Sequence, residues 1–409
     1  MTRPEASRRS AGSRAAEGYS DTLELANLDV TTKTTAHNPI TLGDPVPWFT
    51  APLIAGGSFI LHVHAGRWIV LCFFGSPNNP RVNEELAELL QEASLFDEDR
   101  LIVRAVFTTP PDDVAKYPEV GTKALSFLAD YDGAITRSFG ALDKPRTIVL
   151  DPMLRVVADI PWDFAQGHAA TVRGILRSLP AIDDSAGVPM HAPALIVPRV
   201  LNFELCEFLV RLYEQQGGED SGFLVDLGSK TKTVVDYRLK RRSDLAVVVP
   251  ELRELIGGQI VRRLLPAVER YFQFQATRMD RYIVACYDSE IGGHFYRHRD
   301  NVNAAAQHRR FAITINLNSD YDGCDLVFPE FGRKTYRAPH GGALVFSCGA
   351  LHQVAPITRG RRYAFLAFLY SEADAARREA NNTRLHDGET LYTGAGDRLI
   401  PETTASNDQ

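Results

Sequence analysis

Cysteine is scarce in this chain of 409 residues, and long hydrophobic runs are missing altogether. The five cysteines are scattered, odd in number and free of Cys-x-x-Cys spacing, which argues against a disulfide framework and a zinc knuckle. No apolar run approaches the roughly 20 residues that a membrane helix needs. The formal net charge of −6 gives no overall basic field to attract nucleic acid. We therefore expect a cytoplasmic protein with no membrane or nucleic-acid partner.

Composition divides the chain into five predicted parts. Residues 1–39 are rich in Ser, Ala, Arg and Thr and lack the apolar core of a secretory signal, which predicts a disordered tail. A targeting segment is the alternative there, and Glu5, Glu17 and Asp21 weaken it. Residues 180–194, rich in Pro, Ala, Gly and Asp, are predicted to link a domain at 40–179 to a second domain at 195–372. Residues 373–409 are polar and are predicted to form a C-terminal tail.

The N-terminal half alternates segments that are typical of strands and helices. The near-continuous apolar run WIVLCFFG at 68–75 predicts a strand buried on both faces. After it, NEELAELLQEASLF predicts a helix, LIVRAVFTT a strand, TKALSFLADY a helix, PRTIVLDPMLRVVADIPW two strands and GHAATVRGILRSL a closing helix. This order indicates an α/β domain, in which helices cover a central sheet.

The C-terminal half has a different pattern. FELCEFLVRLYEQQ and VPELRELIGGQIVRRLLPAVERYF have the spacing of amphipathic helices. From Asp280 onward, short strand-like segments follow one another, separated by Gly, Pro and Asp turns. This half is therefore predicted to be a β-sandwich or barrel with flanking helices.

The stretch GGHFYRHRDN contains the first candidate site residues, His298 and Asp300. Alternate side chains of a strand share one face, so these two would point together while Arg299 points away. The best candidate for a third ligand is His352, in CGALHQVAPITRGRRYAFL. Two histidines and a carboxylate form the facial triad that is associated with non-haem Fe(II) oxygenases, and they leave coordination positions open.

An iron site of this kind needs an electron-donating co-substrate, and an oxoacid can chelate two of the open positions. The far carboxylate of that oxoacid needs a cation, for which Arg362 is the candidate because arginine binds a carboxylate through two parallel hydrogen bonds. Its spacing from His352 is even, although Pro356 and Gly360 interrupt strict alternation. Arg361 is the alternative for the same role.

The C-terminal half resembles the prolyl 4-hydroxylase-type Fe(II)/2-oxoglutarate oxygenases over about residues 193–372. The matching segments are YDSEIGGHFYRHRDN, RRFAITINLNSDYDGCDLVFPE and APHGGALVFSCGALHQVAPITRGRRYAF. The resemblance implies a double-stranded β-helix, or jelly roll, with Fe(II) bound by His298, Asp300 and His352. It also implies that Arg362 binds the C5 carboxylate of 2-oxoglutarate, that Tyr287 assists at this carboxylate, and that L-ascorbate keeps the iron ferrous.

By this resemblance the chain is a hydroxylase that uses O₂ and 2-oxoglutarate and releases succinate and CO₂. The presence of Asp300 favours hydroxylation, because a halogenase of this class lacks the carboxylate. The substrate stays open between a small molecule, an amino acid and a protein side chain, and a homodimer is one expected assembly. A non-catalytic binding or sensor protein is the rival hypothesis. A zinc site at His294 and His298 is disfavoured by Phe295 and the preceding glycines, and His308 is predicted to be a solvated loop residue.

The N-terminal half resembles the peroxiredoxins of the AhpC/TSA type, over about residues 40–179. TLGDPVPWFTAPL, GRWIVLCFFGSPNNPRVNEEL and KPRTIVLDPMLRVV carry the resemblance, which implies a thioredoxin-like fold. The chemistry of that family needs a low-pKa cysteine thiolate. Alignment puts Val82 at the position of this cysteine, Asn79 where the family has Thr, and Arg146 at the activating arginine. The domain is therefore predicted to be a catalytically silent scaffold, and a thiol peroxidase acting through Cys72 is the alternative.

Overall fold

The computed structural model describes residues 40–113, 124–227, 230–385 and 397–399. The predicted N-terminal tail lies outside these residues, as does most of the predicted C-terminal tail. From Ile40 onward the described residues belong to one compact unit. Among them, no helix combines the length and the apolar character that crossing a membrane requires.

The N-terminal half is an α/β domain with the thioredoxin-like fold. Its main sheet has the order β5-β4-β3-β6-β7. Strands β3, β4 and β5 are parallel to one another, β6 is antiparallel to β3, and β7 is antiparallel to β6. The elements are β1 (Thr50–Pro52), β2 (Ser58–Ile60), β3 (Trp68–Gly75), α1 (Pro80–Leu89), β4 (Leu101–Phe107), β5 (Leu125–Ala129), α2 (Ala134–Ser138), β6 (Arg146–Leu150), β7 (Val156–Pro161) and α3 (His168–Ser178).

Strand β3 lies at the centre of this sheet and is buried on both faces, as its apolar sequence predicts. Trp68, Val70 and Cys72 face the core under α1 and α3. Ile69 and Leu71 face the opposite core. Because successive side chains of a strand point to opposite faces, this one apolar run contributes to both hydrophobic cores.

The helix predicted for TKALSFLADY is wrong. Its described part contains β5, which pairs in parallel with β4 from Val103↔Leu125 to Phe107↔Ala129. The spacing of the apolar residues in this segment is compatible with a helix or a strand. Pairing with the buried strand β4 selects the strand.

The C-terminal half consists of two facing sheets with helices against one of them. The larger sheet has the order β8-β20-β16-β23-β14-β13-β9, and the smaller has the order β12-β15-β21-β18-β19. The strands are β8 (Ala194–Val197), β9 (Glu219–Asp220), β10 (Phe223–Leu227), β11 (Lys230–Val234), β12 (Lys240–Arg241), β13 (Ser243–Ala246), β14 (Arg278–Asp288), β15 (His294–His298), β16 (Phe311–Asn316), β17 (Asp322–Gly323), β18 (Leu326–Val327), β19 (Thr335–Tyr336), β20 (Ala343–Ser347), β21 (His352–Val354), β22 (Ile357–Arg359) and β23 (Arg361–Tyr370).

Helices cover the outer face of the larger sheet. They are α4 (Phe203–Gln216), α5 (Pro250–Arg263) and α6 (Leu265–Phe272), whereas α7 (Glu372–Ala380) follows β23 and forms ion pairs through Asp374 and Arg378. The core beneath them includes Leu209, Ile260 and Phe365, whereas a second core lies between the two sheets around Phe328 and Phe346. The predicted jelly roll with flanking helices is confirmed.

Two elements were not anticipated from the sequence. The antiparallel hairpin β10–β11 lies in a polar stretch without a strong alternating pattern. Helix α7 begins at the end of the predicted second domain and extends into the segment predicted as a polar tail, and Ser371 and Asp374 form a reciprocal capping box at its start. Within the predicted linker, Ile182 is buried in the N-terminal core. The division into domains at 180–194 stays a prediction.

Candidate functional site

His298, Asp300 and His352 converge on one wall of a cavity between the two sheets. His298 ends β15, and it pairs directly with His352, the first residue of β21. The Nε2 atom of His298 lies 3.4 Å from one carboxylate oxygen of Asp300, and Nε2 of His352 lies 3.5 Å from the other. The three donor atoms lie within 4.8 Å of one another, close enough to contact a single cation. In the described part of the chain they form the one such group.

Backbone carbonyls orient both imidazole rings. Nδ1 of His298 lies 2.7 Å from the carbonyl oxygen of Tyr296, and Nδ1 of His352 lies 3.1 Å from that of Ala350. A carbonyl oxygen only accepts hydrogen bonds, so Nδ1 carries the proton in each ring. The Nε2 lone pairs are therefore free and face Asp300, which is the arrangement that metal-binding histidines adopt.

The protonation states also suit a metal. Burial raises the pKa of Asp300, but His352 and His298 outweigh burial and bring this pKa below its ordinary value. Burial lowers the pKa of His352 to about 4. Near neutral pH the site therefore offers an ionised carboxylate and a neutral imidazole, as metal coordination requires. This donor set fits Fe(II).

Asp300 and Arg362 are placed differently from the sequence prediction. Strand β15 ends at His298, so Asp300 follows the strand, and a hydrogen bond of 2.9 Å from its N–H to the Cys348 carbonyl holds it in place. Arg299 does not join the triad but pairs with Glu330 at the edge of the same cavity. Arg362 is on the larger sheet and His352 on the smaller, so the two residues face the same cavity from opposite walls rather than along one strand.

The cavity has a volume of about 820 Å³ and is bounded by both sheets, the β10–β11 hairpin and the N-terminal half. This size suits a small organic ligand. The residues that the N-terminal half contributes are Thr50, Ser58, Ile60, His62, Val63 and His64.

Arg362 is a buried cation on the cavity wall. Its guanidinium donates hydrogen bonds of 3.0 Å to Asn316 Oδ1 and 2.9 Å to Thr314 Oγ1. Tyr287 lies directly opposite it in the strand pairing, with its ring centre 5.6 Å from the guanidinium carbon. Among the described residues no carboxylate pairs with Arg362. A buried cation without an anionic partner favours an anionic ligand.

The alternative arginine lies elsewhere. Arg361 projects from the opposite face of β23, where it binds Asp288 at 2.7 Å with nearly half of its side chain exposed. The structure thus brings Arg362, and not Arg361, to the cavity.

The other histidines have different surroundings. His294 has both ring nitrogens close to backbone carbonyl oxygens, at 2.8 and 3.2 Å, and does not join the triad. The prediction that His308 is a solvated loop residue is wrong, because it is buried and contacts Asp280 at 3.2 Å. No local pattern indicates that pairing, since the two residues lie on separate segments.

The N-terminal half contains no reactive thiol site. Cys72, its one cysteine, is fully buried in β3, and burial raises its pKa to about 12. Val82 is also fully buried, in α1. Arg146 forms an ion pair of 2.8 Å with Asp159. A thiolate nucleophile needs the opposite surroundings, with access to solvent and a lowered pKa.

Contacts between the halves reach the residues that flank the triad. Arg299 pairs with Glu330 at 2.8 Å, and its guanidinium carbon lies 4.7 Å from the ring centre of Trp48. Glu330 also accepts a hydrogen bond of 3.0 Å from the N–H of Leu351, whose side chain is buried in the N-terminal core. The sequence offered no sign of these contacts, because they join segments that are far apart in the chain.

Comparisons with known proteins match both halves. Residues 42–159 match the AhpC/TSA family model, and residues 282–370 match that of the 2OG-Fe(II) oxygenase superfamily. A PKHD-type hydroxylase from Synechococcus sp. (strain JA-2-3B'a(2-13)) is 28% identical over 142 residues, which are 31% of this chain. The chain spans 62% of the length of that relative.

Two solved structures resemble the separate halves. Peroxidoxin BcpB from Mycobacterium tuberculosis is 26% identical, covers 35% of this chain and 99% of its own, and has a TM-score of 0.31. A Pseudomonas putida prolyl-4-hydroxylase is 16% identical, covers 46% of this chain and 96% of its own, and has a TM-score of 0.34.

Proposed function

We propose that this chain, which joins a peroxiredoxin-like domain to a 2OG-Fe(II) oxygenase domain, hydroxylates a substrate with O₂ and 2-oxoglutarate. One oxygen atom of O₂ enters the substrate as a hydroxyl group, the other enters succinate, and 2-oxoglutarate loses CO₂. The observation that carries the proposal is the convergence of His298, Asp300 and His352 on a cavity whose opposite wall holds the unpaired cation Arg362.

Each residue has a distinct role in this proposal. His298, Asp300 and His352 hold Fe(II), which supplies the activation of O₂ when it is bound. Arg362 binds the C5 carboxylate of 2-oxoglutarate, while Thr314 and Asn316 fix the plane of its guanidinium.

Tyr287 closes the same end of the cavity. Its hydroxyl oxygen lies 3.4 Å from Arg242, which leaves the proton of the hydroxyl free to reach a carboxylate. L-ascorbate belongs to the proposal as the reductant that keeps the iron ferrous. A homodimer stays a prediction.

The N-terminal domain acts in this proposal as a non-catalytic wall of the oxygenase site. It contributes side chains to the cavity, and its core packs against Leu351, the residue before His352. The alternative of a thiol peroxidase has little support, because Cys72 and Val82 are both buried in the core of that domain.

Anaerobic spectroscopy tests the proposal. Addition of Fe(II) and 2-oxoglutarate without O₂ is expected to give the weak visible charge-transfer band of the chelate. Asp300→Ala and His352→Ala should lose this band, because each removes one of three protein ligands. His294→Ala is the matched control from strand β15 and should retain it. Folded wild-type protein without a band would contradict the proposal and favour a non-catalytic binding protein.

A further inference from the structure

Arg281 is placed in the cavity by an irregularity in strand β14. The pairing of β14 with β23 shifts between Asp280 and Ile283, so an extra residue bulges out of the strand. Met279 and Tyr282 both face the core under the helices although they are three residues apart. Arg281 lies between them in the bulge, and its backbone has a left-handed φ of 57°. This conformation is costly for a residue with a side chain, and such strain is concentrated at functional sites.

The guanidinium of Arg281 has no partner within the described part of the chain. No hydrogen bond or ion pair of Arg281 is found there, although its side chain lines the cavity and is exposed to it. The neighbouring carboxylates are engaged by other cations. Asp280 contacts Arg378 at 3.4 Å as well as His308, and Asp244 binds Arg242 at 2.7 Å.

The rest of the cavity wall makes the imbalance larger. The acidic side chains found on this wall among the described residues are Asp226 and Asp300. The arginine and lysine side chains on the same wall are Lys240, Arg242, Arg281, Arg297, Arg299, Arg309 and Arg362. Carboxylates behind the wall neutralise three of these cations, because Asp244 pairs with Arg242, Glu330 with Arg299 and Asp280 with Arg309. The arginines on this wall that have no carboxylate partner among the described residues are Arg281, Arg297 and Arg362, and they favour an anionic occupant.

Arg281 is too far from Arg362 to bind the same small anion. Arg362 pairs with Tyr287, at the other end of β14. At about 3.3 Å per residue along a strand, the backbone of Arg281 lies roughly 20 Å from that of Tyr287, the strand partner of Arg362. Arg309 lies between Arg281 and the triad, because it contacts both the ring of Phe368 at 4.1 Å and the carbonyl oxygen of Asp300 at 3.4 Å. An anionic group at Arg281 therefore belongs to a molecule other than 2-oxoglutarate.

We infer that Arg281 binds a carboxylate of the substrate, and that the substrate is a small carboxylic acid. This inference rests on the proposed function and names its substrate class. A single unpaired guanidinium matches the single charge of a carboxylate, which it can bind with two parallel hydrogen bonds. The carbon skeleton then lies against the apolar part of the wall, formed by Ile283, Ala312 and Leu366.

The test measures succinate released from 2-oxoglutarate in the presence of matched pairs of compounds. The probes are the common L-amino acids and short-chain mono- and dicarboxylic acids, each beside its amide, together with phosphate monoesters. At least one free acid should stimulate succinate release, and its amide should not. Arg281→Met should lower kcat/KM for that acid by at least about 30-fold, as expected when a buried charged pair loses one partner. Arg281→Lys should restore part of the loss.

Arg199→Met is the matched control. Arg199 has a left-handed φ of 58°, close to that of Arg281, but its side chain is exposed and does not line the cavity. This substitution should leave the stimulation by the free acid unchanged. If Arg281→Met does not fold, Arg281→Gly removes the same charge and relieves the backbone strain.

The outcomes separate the inference from the proposed function. Wild-type protein without the anaerobic charge-transfer band would mean that the oxygenase proposal has failed. With that band present, three results would overturn the inference about Arg281. They are stimulation by no free acid, stimulation by phosphate monoesters alone, and equal stimulation of wild type and Arg281→Met.

Discussion

At the residue scale, Arg362 owes its significance to its neighbours. It is almost completely buried, and the partners described for it are the neutral side chains of Asn316, Thr314 and Cys324. A cation in such surroundings is stabilised when an anionic ligand enters. The adjacent Arg361 has an identical side chain but is half-exposed and already paired with Asp288. Arg361 is therefore a control for the effect of burial and pairing on Arg362.

We predict that Arg362→Gln raises the dissociation constant of 2-oxoglutarate by at least about 30-fold, because the variant loses a charged bond of about 2 kcal/mol or more. Anaerobic titration of the charge-transfer band with 2-oxoglutarate measures this constant. Arg361→Gln should leave it within about twofold, since surface ion pairs contribute little. Equal weakening by the two variants would show that Arg362 has no special part in binding the co-substrate.

At the element scale, the bulge in β14 combines strain with an unpaired charge. Arg281 takes the left-handed conformation that glycine adopts without cost. A protein that retains arginine here carries a conformational cost for which the described contacts offer no compensation. Function, rather than stability, then explains this residue.

We predict that Arg281→Gly is more stable than Arg281→Met by about 1 kcal/mol, because both variants lack the charge and only methionine retains the left-handed strain. Denaturant unfolding of the two variants measures the difference. A methionine variant as stable as the glycine variant would mean that the bulge relaxes and stores no strain.

The buried carboxylate beside the bulge gives a prediction on pH. Burial alone would raise the pKa of Asp280, but the bond from His308 and the charges of Arg309 and Arg378 outweigh burial and lower it. A carboxyl group whose pKa is lower in the folded state stabilises the fold above its unfolded pKa of about 3.9. That stabilisation is lost as the pH falls through the folded pKa.

Asp280→Asn should therefore lower the free energy of unfolding by about 3–5 kcal/mol near neutral pH, because it leaves buried cations without a counter-charge. The difference from wild type should shrink below about pH 4. Chemical unfolding at a series of pH values measures both effects. Asp322→Asn is the control, since the Asp322–Arg359 pair is exposed and should contribute little. A loss independent of pH would contradict the assignment.

The sequence predicted elements best where local pattern and tertiary environment agree. Strand β3 is an apolar run at the centre of a sheet, and α4 has a regular amphipathic period, so both were found with their observed bounds. The segment around β5 was misassigned because its pairing with β4, and not its own period, determines its structure. For the site, the motif around His298 identified the residues that converge, whereas the bulge at Arg281 depends on strand pairing that no short motif encodes.

At the scale of the whole molecule, the two halves share one cavity. The N-terminal half supplies part of the wall and stacks Trp48 on Arg299, the residue between His298 and Asp300. Arg297 adds a hydrogen bond of 3.4 Å to the carbonyl oxygen of Ala65. A domain that is predicted to be catalytically silent can thus set the shape of the neighbouring site.

The two halves pack closely at Gly66, and this position gives a test of their coupling. A Cβ atom at Gly66 would lie 2.7 Å from the carbonyl carbon of Pro329, which belongs to the C-terminal half. Gly57 has the same φ of 83°, but a Cβ atom there would meet nothing within 4 Å. Alanine at either position therefore destabilises the fold by a similar amount, about 1–2 kcal/mol, because it must adopt a left-handed backbone conformation. Only Gly66→Ala also pushes the two halves apart.

We expect Gly57→Ala to lower the melting temperature but to leave succinate release per folded molecule unchanged. Gly66→Ala should lower both, because Pro329 directly precedes Glu330, which holds Arg299 and Leu351 beside the triad. Thermal unfolding and succinate release, measured on the same samples below their melting temperatures, separate the two effects. If both variants lose stability equally and retain full turnover, the N-terminal domain does not shape the site. If only Gly66→Ala loses turnover, the oxygenase site depends on the packing of both domains.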